Sequence, residues 1–163
     1  MTGTGDEAPA DWSTLETPET YLGYERAESF VSAAEPVRDR PHGYTAPARM
    51  SRNSWALSGD WTIRADRIVA NRPRASILVR FHARDLHLVM TPADRGRPVR
   101  FEMQVDGRAP GDAQGLDIDA AGTGQIVEPR MYQLLRQPRP ITDRTAELSL
   151  PDGAAEAFVV TYG

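Results

Sequence analysis

Alternation of apolar and polar residues, sustained over most of the chain beyond residue 50, constrains the fold more than any other feature. Val99, Phe101, Met103 and Val105 are separated by Arg100, Glu102 and Gln104. Successive side chains of an extended strand point to opposite faces, so this spacing builds a strand with one face in a core and one in water. Asp106-Gly107 follows at once, a pair suited to the left-handed backbone of a two-residue turn. Comparable runs at 55–63, 68–70, 75–83, 86–90, 124–128, 130–135, 145–150 and 156–162 are set apart by Pro, Gly and Asp clusters. No stretch holds a 3.6-residue period. The pattern predicts an all-β fold, a single-domain antiparallel β-sandwich or jelly roll, or a closed β-barrel, of about 8–10 strands.

A chain of 163 residues is long enough for one such core and short for two. Residues 1–17 hold only Trp12 and Leu15 as bulky apolar groups among Gly, Thr, Ala, Asp and Glu, which predicts a flexible arm ahead of a domain spanning 18–163. The segment 20–30 is mixed in pattern. Residues 39–48, with Pro41, Gly43 and Pro47, read as a loop.

Composition narrows the chemistry. There is no cysteine, which removes thiol nucleophiles, thiol-disulfide exchange and thiolate metal sites. A net charge of −4 argues against a nucleic-acid partner, which wants a basic face. All basic side chains are arginine, the mark of a GC-rich coding sequence and also the better residue for fixed bidentate contacts. No apolar run approaches the ~18 residues of a membrane helix, and the N-terminus has no basic and apolar leader. A complete chain would therefore stay in the cytoplasm without a membrane partner; a fragment of a membrane-anchored parent would be extracytoplasmic.

Several segments in order carry a resemblance. They are Thr17-Pro18-Glu19-Thr20-Tyr21-Leu22-Gly23-Tyr24-Glu25-Arg26-Ala27, Asn53-Ser54-Trp55-Ala56-Leu57-Ser58-Gly59-Asp60-Trp61, Arg80-Phe81-His82-Ala83-Arg84-Asp85-Leu86-His87-Leu88-Val89-Met90, Pro98-Val99-Arg100-Phe101 with Asp106-Gly107, and Glu128-Pro129-Arg130-Met131-Tyr132-Gln133-Leu134-Leu135-Arg136. Together they resemble the C-terminal module of DipZ-type thioredoxin-family and cytochrome c biogenesis proteins. The resemblance implies a β-sandwich like that of carbohydrate-binding modules, in a family where it accompanies a thioredoxin domain and a membrane-embedded part. Where that family carries His-Gly before an Asp-x-Asp segment, this chain has Gln114-Gly115 before Asp117-Ile118-Asp119, so no role of that histidine carries over.

The residues themselves offer these candidates. On a strand through 75–84, Leu78, Arg80, His82 and Arg84 share the face opposite Ile77, Val79, Phe81 and Ala83. That polar face is either solvated or lines a cavity, where His82 could move protons and Arg80 hold oxygen atoms. If 24–30 is extended, Tyr24, Arg26, Glu28 and Phe30 share a face, with Glu28 either in a surface ion pair with Arg26 or buried as a general acid or base. Asp117 and Asp119 cap turns or join a polar site, Gly122 and Gly124 allowing the bend; the calcium-loop spacing is only partial, with Ala121 at its fifth position. Trp55, Trp61, Arg130 and Tyr132 are candidates for holding substrate, although large rings more often fill a core. No Ser-His-Asp order, phosphate loop or metal-binding histidine pair is present, and neither metal nor cofactor is expected. His82 and His87 would face opposite sides of a regular strand.

Three functions follow. The first is a cofactor-free enzyme acting on a hydrophobic small molecule by acid/base catalysis, such as a polyketide cyclase forming spiroacetals, with Glu28, Arg80, His82, Asp117 and Asp119 as its catalytic set and Tyr24, Arg26, Trp55, Trp61, Arg130 and Tyr132 around the substrate. The alternative is a non-catalytic carbohydrate- or small-ligand-binding module. A partner-binding domain without a ligand is a third.

Overall fold

The computed structural model describes residues 9–163. Its strands are β1 (Thr20–Tyr21), β2 (His42–Tyr44), β3 (Trp55–Ile63), β4 (Ile68–Ala70), β5 (Ala75–Phe81), β6 (Asp85–Pro92), β7 (Val99–Val105), β8 (Thr123–Ile126), β9 (Arg130–Arg136), β10 (Arg144–Leu150) and β11 (Ala155–Tyr162). The fold is all-β, as the alternation predicts, with eleven strands because β1 and β2 add two short ones. All pairs of strands are antiparallel, in the order β8-β7-β10-β5-β3-β4-β11-β6-β9, with β1 on β11 and β2 on β3.

One long strand folds this path into two layers. Residues 55–58 of β3 pair with β5, whereas Trp61–Ile63 pair with β4. Between them Gly59 has φ +94°, and a Cβ there would lie 3.0 Å from the Ala75 Cα. Only glycine takes that bend without strain. The far ends of the path meet where the Tyr132 hydroxyl, at the start of β9, accepts hydrogen bonds from the backbone N–H groups of Val127 and Glu128 at 2.9 and 3.2 Å and donates to the Glu128 carbonyl at 2.7 Å. The sheet is thereby nearly closed on itself.

The space between the layers is filled by rings and branched side chains. Trp55, Trp61, Tyr132, Phe81 and Phe101 are fully buried, with Leu57, Ile63, Ile68, Met90 and Ile126 among them. Burial along β7 alternates strictly from Val99 to Gln104, and the Asp106-Gly107 turn that follows has φ +51° and +78°. Asp106 also anchors β10, its carboxylate accepting from the Thr145 backbone N–H at 2.9 Å and from Arg144 at 3.0 Å.

Three sequence expectations change. Residues 1–8 of the expected arm lie outside the described residues, but 9–17 are docked: Leu15 packs on the core, Thr17 is buried, and the Glu16 N–H donates to the His82 carbonyl at 2.9 Å. Residues 39–48 are not wholly loop, since β2 places Tyr44 in the core. Residues 23–26 form a turn and not an extended stretch. Gly23 sits so close to the backbone of Ala65 and Asp66 that no Cβ fits, and the chain folds back there.

Candidate functional site

The turn at 23–26 borders an open cleft. β1 is tied to β11 through Thr20 and Tyr21, and the fold-back then carries the Arg26 guanidinium to 3.7 Å from the centre of the Tyr21 ring. Residues 28 and 29 run back along β3, where the Trp55 indole N–H donates to the Glu28 carbonyl and the Trp55 backbone N–H to the Ser29 carbonyl, both at 3.0 Å. Between these segments lies an open cleft of about 530 Å³ lined by Glu19, Tyr21, Arg26, Glu28, Ser29 and Asn53. The Tyr21 hydroxyl donates to Glu19, whose carboxylate raises the phenol's pKa. Because 23–26 is a turn, Tyr24 does not share a strand face with Arg26 and Glu28. Its hydroxyl donates to Asp39 at 3.0 Å and its ring lies under Arg38.

The polar face of β5 is an outer face. Ile77, Val79, Phe81 and Ala83 are buried while Leu78, Arg80, His82 and Arg84 are not. Arg80 donates to the Thr145 hydroxyl at 2.9 Å, and His82 Nδ1 lies 2.7 Å from Asp143 Oδ1. Arg52 spans from Glu16 to Asp143, and the His82 backbone N–H donates to the Thr17 hydroxyl at 2.7 Å. These bonds knit the docked segment to β5 and the loop before β10.

Asp117 and Asp119 serve separate bonds. Asp117 accepts from Arg130 at 2.6 and 3.1 Å and from the Gln133 backbone N–H at 2.7 Å. Burial pushes its pKa up, but Arg130 and that N–H prevail and hold it below the usual carboxylate range. Asp119 is exposed and caps its turn, accepting from the Thr123 N–H at 2.9 Å. Gly122, at φ +95°, allows the bend, for a Cβ there would strike the Met103 carbonyl. Arg130 lies over the Tyr132 ring at 3.9 Å. The rings of Trp55, Trp61 and Tyr132 form core and offer no face to a ligand.

Of the sequence-derived candidates, the structure gathers Arg26 and Glu28 on one cleft. It leaves Arg80 on β5 with His82 just after it, Arg130 at the start of β9, and Asp117 and Asp119 in the loop before β8.

A second polar centre has no local signature. The Asp85 side chain is 3 % exposed and is gripped by two arginine forks, Arg84 at 3.1 and 2.9 Å and Arg136 at 2.8 and 2.9 Å. Burial raises its pKa, yet the forks of Arg136 and Arg84 outweigh burial and keep it ionised. Beside it His87 lies in register with Gln133 across β6 and β9, at a cleft of about 190 Å³ that also touches Gln114, Leu116, Leu135 and Arg136. Burial lowers the His87 pKa, with Arg136 and Arg84 adding to the effect against the pull of Asp85 and Asp117.

Over residues 17–163 the sequence matches the family described as the thioredoxin-like C-terminal domain. The chain belongs to that family. No curated protein matches it. The matched span of this thioredoxin-like C-terminal domain begins at Thr17, the first buried residue of the described chain, so the match and the folded core start together. Within the domain, Tyr21 and Arg26 frame the larger cleft, and Gln114 lies on the smaller one.

Proposed function

We propose that this domain is a non-catalytic binding module for a small hydroxyl-rich ligand of the carbohydrate kind, held in the cleft between residues 18–21 and 26–29. The observation that supports this reading is the convergence of Arg26, Glu28 and Asn53 on one open cleft of about 530 Å³. Planar carboxylate, amide and guanidinium groups bind neighbouring hydroxyls through paired hydrogen bonds. The Glu28 carboxylate is exposed and accepts no hydrogen bond among the described residues, which leaves its acceptor capacity for a ligand. Acid/base catalysis on a hydrophobic substrate needs a site that excludes water, and this cleft is open.

Calorimetric and ligand-observed NMR titrations with a panel of monosaccharides and short glycans test the reading. Saturable binding is expected, weakened about tenfold or more by Glu28→Gln or Arg26→Ala, since each removes a hydrogen bond to a fixed charged group. Absence of binding across the panel, or binding indifferent to both substitutions, rejects it. Turnover of a polyketide intermediate that depends on Glu28 would restore the catalytic alternative.

A further inference from the structure

We propose that the ligand of the cleft beside β1 is a sugar carrying an N-acetylamino group, whose acetyl carbonyl accepts a hydrogen bond from the Tyr21 backbone N–H while a ring hydroxyl donates to the Tyr21 carbonyl. The proposal rests on the carbohydrate reading of that cleft and adds the substituent by which the sugar is chosen.

The outer edge of β1 carries the argument. Among the described residues β1 pairs with β11 alone, Thr20 lying opposite Val160 and Tyr21 opposite Val159. The Leu22 N–H donates to the Phe158 carbonyl at 3.1 Å. Backbone groups of successive strand residues point to opposite edges, so Tyr21, one residue earlier, directs its N–H and C=O away from β11. Neither group has a hydrogen-bond partner among the described residues. Residues 18–21 all line the cleft, so this edge is one of its walls. On the other wall Ser29 and Asn53 hold φ of +60° and +67°. Left-handed backbone is costly for a serine, and strain of this kind gathers at ligand sites. The Trp55 N–H fixes it by donating to the Ser29 carbonyl at 3.0 Å.

The Tyr21 N–H requires an acceptor, and the charges around it decide which. The charged side chains lining the cleft are Glu19, Arg26 and Glu28, so a ligand carboxylate would meet two of its own kind against one guanidinium. An ammonium has no lone pair to offer an N–H. Among neutral groups the amide carbonyl is a strong acceptor, as the backbone itself shows. A trans amide sends its N–H and C=O in opposite directions, so one acetamide satisfies the Tyr21 N–H and leaves the Tyr21 carbonyl for a hydroxyl. The Glu28 carboxylate accepts no hydrogen bond among the described residues; it takes further hydroxyls, which a sugar supplies and a simple peptide backbone does not.

The probes are N-acetylglucosamine and N-acetylgalactosamine, each titrated beside its parent hexose, with glucosamine, glucuronate and N-acetylalanine N-methylamide as controls at constant ionic strength. The full chain is followed by NMR. At least one acetylated sugar should bind about fivefold or more tighter than its parent, and should move the Tyr21 backbone amide proton downfield saturably. Tyr21→Ala removes the ring and keeps the N–H, so it should weaken acetylated and parent sugars alike and preserve their ratio. Tyr21→Pro removes the N–H and should bring that ratio to about one. Proline fits an edge position whose N–H the sheet does not use, and if the variant fails to fold, the wild-type ratio and the Tyr21 amide shift still decide. Parent hexoses binding as tightly as the acetylated sugars, an unmoved Tyr21 amide, a ratio retained in folded Tyr21→Pro, or any control binding as tightly as the acetylated sugars would overturn the proposal. Hexose binding that depends on Glu28 but ignores the acetyl group overturns this inference and leaves the carbohydrate reading in place, whereas no binding by any sugar up to about 100 mM rejects both.

Discussion

Asp85→Asn should be the most damaging conservative substitution on the polar surface of this domain. The wild-type carboxylate, 3 % exposed, accepts four charge-assisted hydrogen bonds of 2.8 to 3.1 Å from Arg84 and Arg136. Asparagine keeps the volume and one acceptor oxygen but loses the negative charge that both guanidinium groups share. Breaking a fully buried ion pair costs about 3–5 kcal/mol. The arginine side chains here are 24 % and 30 % exposed and can recover part of their hydration, which brings the expected loss to about 2–4 kcal/mol. At about 3 kcal/mol, the midpoint of thermal unfolding should fall by about 6–12 °C for a chain of this length. Urea unfolding at pH 7, followed by the fluorescence of buried Trp55 and Trp61, should show the loss as a lower midpoint at constant slope.

The same variant has a pH signature. The folded pKa of Asp85 lies below its unfolded value, so the unfolded chain binds more protons in the interval between them. Stability from this group is complete above the unfolded value of about 3.9 and is lost as pH falls through the folded value. Wild type should therefore lose more stability on acidification than Asp85→Asn, and the two curves should converge at low pH. A loss below about 1 kcal/mol at pH 7, or parallel acid profiles, would refute the claim that the two forks outweigh the burial of the charge.

Three further outcomes follow. Gly59→Ala, at φ +94° with the Ala75 backbone 3.0 Å from the new Cβ, should cost about 1–3 kcal/mol in the same urea assay. Tyr132→Phe strips the N–H groups of Val127 and Glu128 of their acceptor; it should cost about 1–3 kcal/mol, with faster hydrogen exchange at those two amides. His87 has a folded pKa below the ordinary value, so its contribution is complete above about pH 6.5 and shrinks as pH falls through the folded pKa; His87→Gln should flatten the stability profile in that window alone.

What the sequence discloses is what is local. The alternation of β7 becomes its burial pattern residue by residue, Asp106-Gly107 becomes a turn with both φ positive, and the two faces of β5 sort as their spacing says. β1 and β2, two and three residues long, are too short for any period to register. The shared face expected for Tyr24, Arg26 and Glu28 fails because Gly23 must fit against Ala65 and Asp66, a contact that no window of neighbouring residues contains. Trp55 and Trp61 illustrate a different limit. Residue type says that a ring is large, but only the bend at Gly59, which takes one strand through both layers, buries both rings. The Asp85 centre is least legible, because its second arginine lies 51 residues away and is brought in only by the pairing of β6 with β9.

The filling of the interior also decides where chemistry can reside. With six buried aromatic rings among the described residues and a continuous set of aliphatic side chains between the layers, polar groups that remain available stand on outer faces and at strand edges. The edge of β9 shows how one such strand edge is protected. An uncovered edge strand invites pairing with other chains, and here residues 114–117 cover it: the Gly115 N–H donates to the Leu134 carbonyl at 2.9 Å and the Asp117 N–H to the Gln133 carbonyl at 3.0 Å. Gly115 makes that approach possible, since a Cβ would collide with the Gln133 carbonyl. The same covering segment carries Gln114 and Leu116 to the rim of the smaller cleft. Their side chains can therefore vary without disturbing the backbone bonds that protect the edge.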